Sequence, residues 1–147
     1  MRREPLPLSE FQLVASLRAT LRQFLRVSEH AARRHGLTQH RYLLLLMIKG
    51  APDGSQRSTV TELSERLQVA QSTVTELVAR AEQVDLVTRE PSPRDRRVVH
   101  FSLTPEGERR LEAVLLELRS ERERLARMVG AFAEAEHIGE AGGEAGG

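Results

Sequence analysis

"TVTELSERLQVAQSTVTELVARAEQVDLVTREPSPRDRR", residues Thr59 to Arg97, decides the fold. Leu63 and Leu67 stand four apart, Val69 interrupts, and Val74, Leu77, Val78 and Ala81 then recur at helical spacing, so two short helices are expected to share one small core. The second helix carries Gln71, Ser72, Thr73, Thr75, Glu76 and Arg80 away from that core. These hydrogen-bonding side chains are long enough to reach base edges in a DNA major groove. After Leu86 and Val87, two β-prone segments flank a turn-rich tip at Pro91 to Asp95, which predicts a hairpin carrying Arg94, Asp95, Arg96 and Arg97.

The run from Ser72 to Leu111, with its D-R-R tip (Asp95, Arg96, Arg97) and its L-T-P-E-G entry to the next helix (Leu103 to Gly107), resembles the winged helix-turn-helix of the MarR-type transcriptional regulators. The resemblance extends more loosely over residues 8 to 132. It implies a homodimeric repressor or activator that binds a pseudo-palindromic operator in double-stranded DNA, with its affinity set by a small ligand. Three positions depart from the family pattern. Ala70 stands where a hydroxyl N-cap is usual, Glu76 where a basic residue is frequent, and Asp85 where a glycine usually ends the helix in a left-handed turn.

Working outward, Val14, Leu17, Leu21, Phe24 and Ala31 fall on three- and four-residue steps, predicting an amphipathic first helix over 8–35 that ends at Gly36. Thr38 reads as the N-cap of a second helix through "YLLLLMIK", whose density of apolar residues marks a buried hub. "GAPDGSQRS" reads as a loop. Thr104 and Pro105 open a last helix, in which Leu111, Leu115, Leu118, Leu125, Val129 and Phe132 keep a heptad-like spacing, with Arg122 as the polar seam position.

The expected fold is therefore mainly α with a small β-wing. A winged helix-turn-helix lobe over 38–104 is flanked by dimerisation helices over 8–35 and 105–137, and a Gly-rich disordered tail follows over 138–147. Val14, Leu17, Leu21, Leu111, Leu115, Leu118 and Leu125 are the expected dimer contacts, because the two stripes exceed what a small monomer covers.

Composition narrows the function. In 147 residues, aromatics make up only 3% and charged residues 29%, which suits a thin helical structure needing a second subunit. A net charge of +1 excludes a polycation that coats nucleic acid by charge alone, so the local cluster of Arg89, Arg94, Arg96 and Arg97 matters more. The absence of cysteine excludes disulfides and thiolate zinc sites. No apolar run approaches the ~20 residues that span a bilayer, so no membrane role and a cytoplasmic location are expected.

His30, His35 and His40 are spaced five apart, which spreads them around a helix, and Gly36 breaks that helix first. No metal or other cofactor is therefore expected. A zinc-sensing regulator of the same fold requires distant ligands to be brought together. No assembled nucleophile or phosphate-cradling glycine loop points to an enzyme. A module for protein contacts would show apolar side chains where Gln71, Ser72, Thr75 and Arg80 stand. For the ligand implied by the resemblance, an anionic aromatic molecule met by His40, Arg41 or Tyr42 is the expectation, in a cleft lined by the first, second and fifth helices.

Overall fold

The structure is a computed structural model and describes residues 3–143. Its elements in chain order are helix α1 (Leu8–Arg34), helix α2 (Gln39–Lys49), strand β1 (Arg57–Ser58), helices α3 (Val60–Leu67) and α4 (Gln71–Gln83), strands β2 (Val87–Pro91) and β3 (Val99–Leu103), and helices α5 (Pro105–Glu117) and α6 (Arg119–Gly143). The described residues divide into two units: 29–117, and 3–28 with 118–143.

The 29–117 unit is built around α2. Leu44, Leu45 and Ile48 have no exposed surface, and they meet Leu63 of α3, Val74, Val78 and Ala81 of α4, Phe101 of β3, and Leu111 and Val114 of α5 in one apolar core. Burying a side chain of this size contributes about 1.5–3 kcal/mol, so α2 anchors everything that packs on it. Caps set the helix starts. The Thr38 hydroxyl accepts from Arg41 N at 3.2 Å, and Thr59 accepts from Glu62 N at 3.2 Å. The Thr104 hydroxyl accepts from Gly107 N at 3.0 Å and donates to Asp85 O at 2.6 Å, which ties the start of α5 to the end of α4. Asp85 does take the left-handed turn, at φ 57°.

The sheet is antiparallel in the order β1-β3-β2. β2 and β3 form the wing, with Val87 opposite Leu103 and Pro91 opposite Val99. β1 lies within the segment read as a loop. Two residues are too few for an alternation pattern to reveal, and Ser58 is buried there, where its hydroxyl accepts from Arg66 of α3.

Two boundaries differ from those read in the sequence. The lobe extends over the C-terminal end of α1 and all of α5, because α5 packs on α2 and β3, while the expected single C-terminal helix is two helices interrupted at Leu118. The tail expected from 138 is helical as far as Gly143, although three of those six residues are glycine, and residues 144–147 lie outside the described residues.

In the other unit, α1 exposes Phe11, Val14 and Leu25, and α6 exposes Val129, while Leu17, Leu21 and Leu125 are half-buried. Leu111 of the first unit and Leu118 of the second do not share this exposure. At 2% and 1% exposed they are sealed inside their own chain and offer nothing to a partner. The heptad spacing that suggested them as contacts marks their inward face instead. Leu115 is half-buried.

Candidate nucleic-acid interface

α4 buries one face and offers the other. Val74, Val78 and Ala81 are inside, and Gln71, Ser72, Thr73, Thr75, Glu76 and Arg80 are all exposed, as the 3.6-residue repeat requires. Ala70 gives the helix no side-chain cap. The first-turn N–H groups therefore keep their donor capacity and the positive end of the helix dipole points outward, an arrangement suited to a phosphate. The outer face is partly organised. Gln71 Nε2 donates to Thr61 Oγ1 at 3.4 Å, the Thr75 hydroxyl donates to Gln71 O at 2.9 Å, and Arg80 Nη2 pairs with Glu76 Oε1 at 2.5 Å.

The wing follows directly. Its tip is closed by Ser92 N donating to Val98 O at 2.8 Å, and by the Asp95 carboxylate accepting from Arg97 N at 3.0 Å. Asp95 therefore shapes the backbone that carries the arginines; it holds no guanidinium. Among the described residues no ion pair engages Arg94, Arg96 or Arg97, and all three are exposed. An exposed arginine with no internal partner is free to meet an external anion.

Arg89 differs from these three. Its guanidinium grips the Glu82 carboxylate with bonds of 2.7–3.2 Å and lies 5.5 Å from the centroid of the Phe101 ring. The hydrogen bond to Glu82 raises the arginine pKa further, and the pair joins the end of α4 to the base of the wing. Arg89 is thus an anchor, withdrawn from the cationic cluster to which the sequence assigned it.

Between α4, the start of α3 and the wing runs a groove of about 390 Å³, lined in part by Thr61, Thr75, Arg97 and Phe101. Thr61 escaped the sequence reading, although it sits at the second position of α3 in the residues that open the motif. The groove brings a recognition-helix residue and a wing-tip arginine to one surface of a single lobe.

The residues expected to meet a small ligand are dispersed. His40 is exposed, Arg41 is half-buried, and Tyr42 is 6% exposed within the hub. Consecutive helical residues point about 100° apart, so the three cannot form one wall. Gly36, Thr38 and His40 do line a shallow cavity of about 450 Å³ with Glu29 and Arg33. Among the described residues, no group of three or more His, Cys, Asp or Glu side chains is placed to hold a metal ion, and no helix is long and apolar enough to cross a membrane.

The pattern that defines the MarR family matches residues 35–98, from the hub helix to the wing tip. A curated relative, the HTH-type transcriptional repressor MdtR of Bacillus subtilis (strain 168), is 34% identical over 108 residues, covering 74% of this chain and 66% of MdtR. The chain spans between 39% and 66% of the length of the curated relatives it matches. The YusO protein of Bacillus subtilis has a similar structure, with a TM-score of 0.59 at 29% identity over 94% of this chain and 95% of YusO. Sco3205, a MarR family transcriptional regulator from Streptomyces coelicolor solved in complex with DNA, superposes with a TM-score of 0.67 at 21% identity over 99% of this chain and 94% of that one, a likeness of fold. With the repressor MdtR as a relative, an uncapped helix presenting polar side chains and a wing of unpaired arginines in one lobe, this chain belongs to the MarR family.

Proposed function

We propose that this protein is a DNA-binding transcriptional regulator, a repressor, that acts as a homodimer on a pseudo-palindromic operator and responds to a small molecule. One observation carries the DNA-reading part: the exposed polar face of α4 and the free arginines of the wing lie on the same lobe and share a groove. Arg94, Arg96 and Arg97 supply phosphate or minor-groove contacts, which position the lobe, and Gln71, Ser72, Thr73 and Thr75 supply contacts that discriminate bases. Asp95 shapes the tip. Family membership and the DNA-bound neighbour support the same assignment. Two curated relatives are transcriptional repressors, and a cytoplasmic location accords with the role.

Exposed apolar side chains at Phe11, Val14 and Leu25 support the homodimer, since an unpaired stripe of this kind is covered most simply by its symmetry mate. For the effector, His40 and Arg41 remain the proposed contacts to an anionic aromatic molecule, with Tyr42 serving the hub. The experiment is selection of duplexes from a randomised library by the purified chain. The expected product is a two-fold symmetric site with half-sites about 10 base pairs apart or a multiple of that. Recovery of unselected sequence would refute the assignment. A thermal-shift screen with phenolic acids, followed by release of the selected duplex, tests the response to a ligand.

A further inference from the structure

Glu76 is the one residue on the outer face of α4 whose charge opposes DNA. It is not tucked away: its side chain is 63% exposed, that of Arg80 is 62% exposed, and the two are paired at 2.5 Å across one helical turn. A carboxylate pushed toward a phosphate backbone is repelled, so its place in the middle of the reading face calls for a partner that donates. In the major groove the only base-edge donors are the exocyclic amino groups of cytosine and adenine.

The pair as a unit selects between these. Arg80 commits one N–H to Glu76 and keeps four others. A guanidinium edge is best met by two adjacent acceptors, which guanine N7 and O6 provide. The neighbouring group on the same pair is the cytosine amino donor, at hydrogen-bonding distance from O6. An A·T pair instead alternates acceptor, donor and acceptor and adds a methyl group, so it has no adjacent acceptors for the arginine.

We propose that Glu76 and Arg80 act together to read one C·G pair in each half-site, with Arg80 donating to guanine and Glu76 accepting from the amino group of its paired cytosine. The ion pair is then a specificity element formed before DNA arrives. Bound to the correct pair, the carboxylate gains a donor and the guanidinium two acceptors; over a pair that sets no amino group beside it, the carboxylate gains none and still faces the phosphates. This inference rests on the assignment of α4 as the base-reading helix.

The test compares duplex selection by the full chain and its Glu76→Ala, Glu76→Gln and Arg80→Ala variants, followed by titration of the selected duplex with single pairs replaced. Wild type is expected to require C·G at one position per half-site, losing roughly tenfold or more in affinity when that pair is replaced. Glu76→Ala should weaken the preference at that position alone, the contact of Arg80 with guanine remaining, while binding mixed-sequence DNA more tightly, because a repelling charge has gone. Glu76→Gln should move the preference toward A·T, since a carboxamide matches adenine N6 and N7. Arg80→Ala should relax the same position, and the Glu76→Ala, Arg80→Ala double variant should lose little more than either single one. If wild type selects a site and Glu76→Ala keeps every preference, the inference is overturned while the regulator assignment stands. If wild type selects no site at all, both are overturned.

Discussion

Gly107→Ala tests the packing that joins the helix-turn-helix to the wing. From helix propensity alone, alanine for glycine in α5 should stabilise by up to about 1 kcal/mol. The structure reverses the sign. A Cβ at Gly107 would lie 2.2 Å from Leu86 O and 3.1 Å from Leu86 C, with Leu103 Cγ at 3.5 Å. Relief requires a shift of roughly 1 Å, and the obstacle is backbone that cannot rotate aside. Overpacking of this kind costs about 1–3 kcal/mol, and backbone contact places it at the upper end. Against the gain in propensity, the net loss is about 2 kcal/mol, or a fall in melting temperature of roughly 4–8 °C for a chain of this size. Because Leu86 O also accepts from Thr104 N at 3.1 Å and its residue leads into β2, the displacement should reach the wing and weaken DNA binding as well. The assay is thermal unfolding at fixed protein concentration, with Gly130→Ala as control. Nothing lies within 4 Å of a Cβ built there, so that variant should be slightly more stable than wild type. A Gly107→Ala protein melting at or above the wild-type temperature would refute the reasoning.

Other outcomes follow from the same structure. Arg97→Ala should leave melting unchanged, since the side chain has no internal partner, and should make the slope of log affinity against log salt shallower by about one unit; an unchanged slope would remove Arg97 from the phosphate contacts. Asp95→Ala should weaken DNA binding despite removing a negative charge, because Arg97 N loses its acceptor at 3.0 Å; tighter binding would contradict the shaping role. Val14→Glu with Leu25→Glu should give folded monomer by light scattering, as both side chains are exposed, whereas Leu118→Glu should unfold the chain; a double variant that stayed dimeric would dismiss the α1 face. The Glu106 carboxyl is held below its ordinary value by hydrogen bonds first from Arg109 and then from Arg110. Its contribution to stability is complete above the ordinary glutamate range and is lost as pH falls through the lowered folded value, so Glu106→Gln should flatten the acid limb of stability against pH. An identical acid limb would show that the cluster is neutral to folding.

Local chemistry carried much of this fold into the sequence. Thr38 and Thr104 announced their caps, and the spacing of Val74, Val78 and Ala81 the face of α4 that turns inward, because each depends on neighbours within one or two helical turns; the left-handed turn at Asp85 was implied by the family resemblance. What was not legible depends on distant partners. Strand β1 exists because Ser58 finds Phe101, and Arg89 is an anchor because it finds Glu82. The break at Leu118 carries no glycine or proline, and a one-residue interruption leaves a heptad-like spacing intact, so Leu111 and Leu118 read as an outward seam when they are inward-facing core. Tyr42 was legible as part of a dense apolar helix and was still read as a ligand contact. Its burial belongs to the hub.

The most direct test of the central claim is the ratio of affinities, at near-physiological salt, for the selected duplex and for a scrambled duplex of the same composition, measured for wild type and for a Gln71→Ala, Thr75→Ala variant. If the outer face of α4 reads bases, wild type should prefer the selected site by roughly a thousandfold or more. The variant should lose much of that ratio while keeping its salt-dependent binding to scrambled DNA. A wild-type ratio near one, or a variant that preserves the full ratio, would contradict the account.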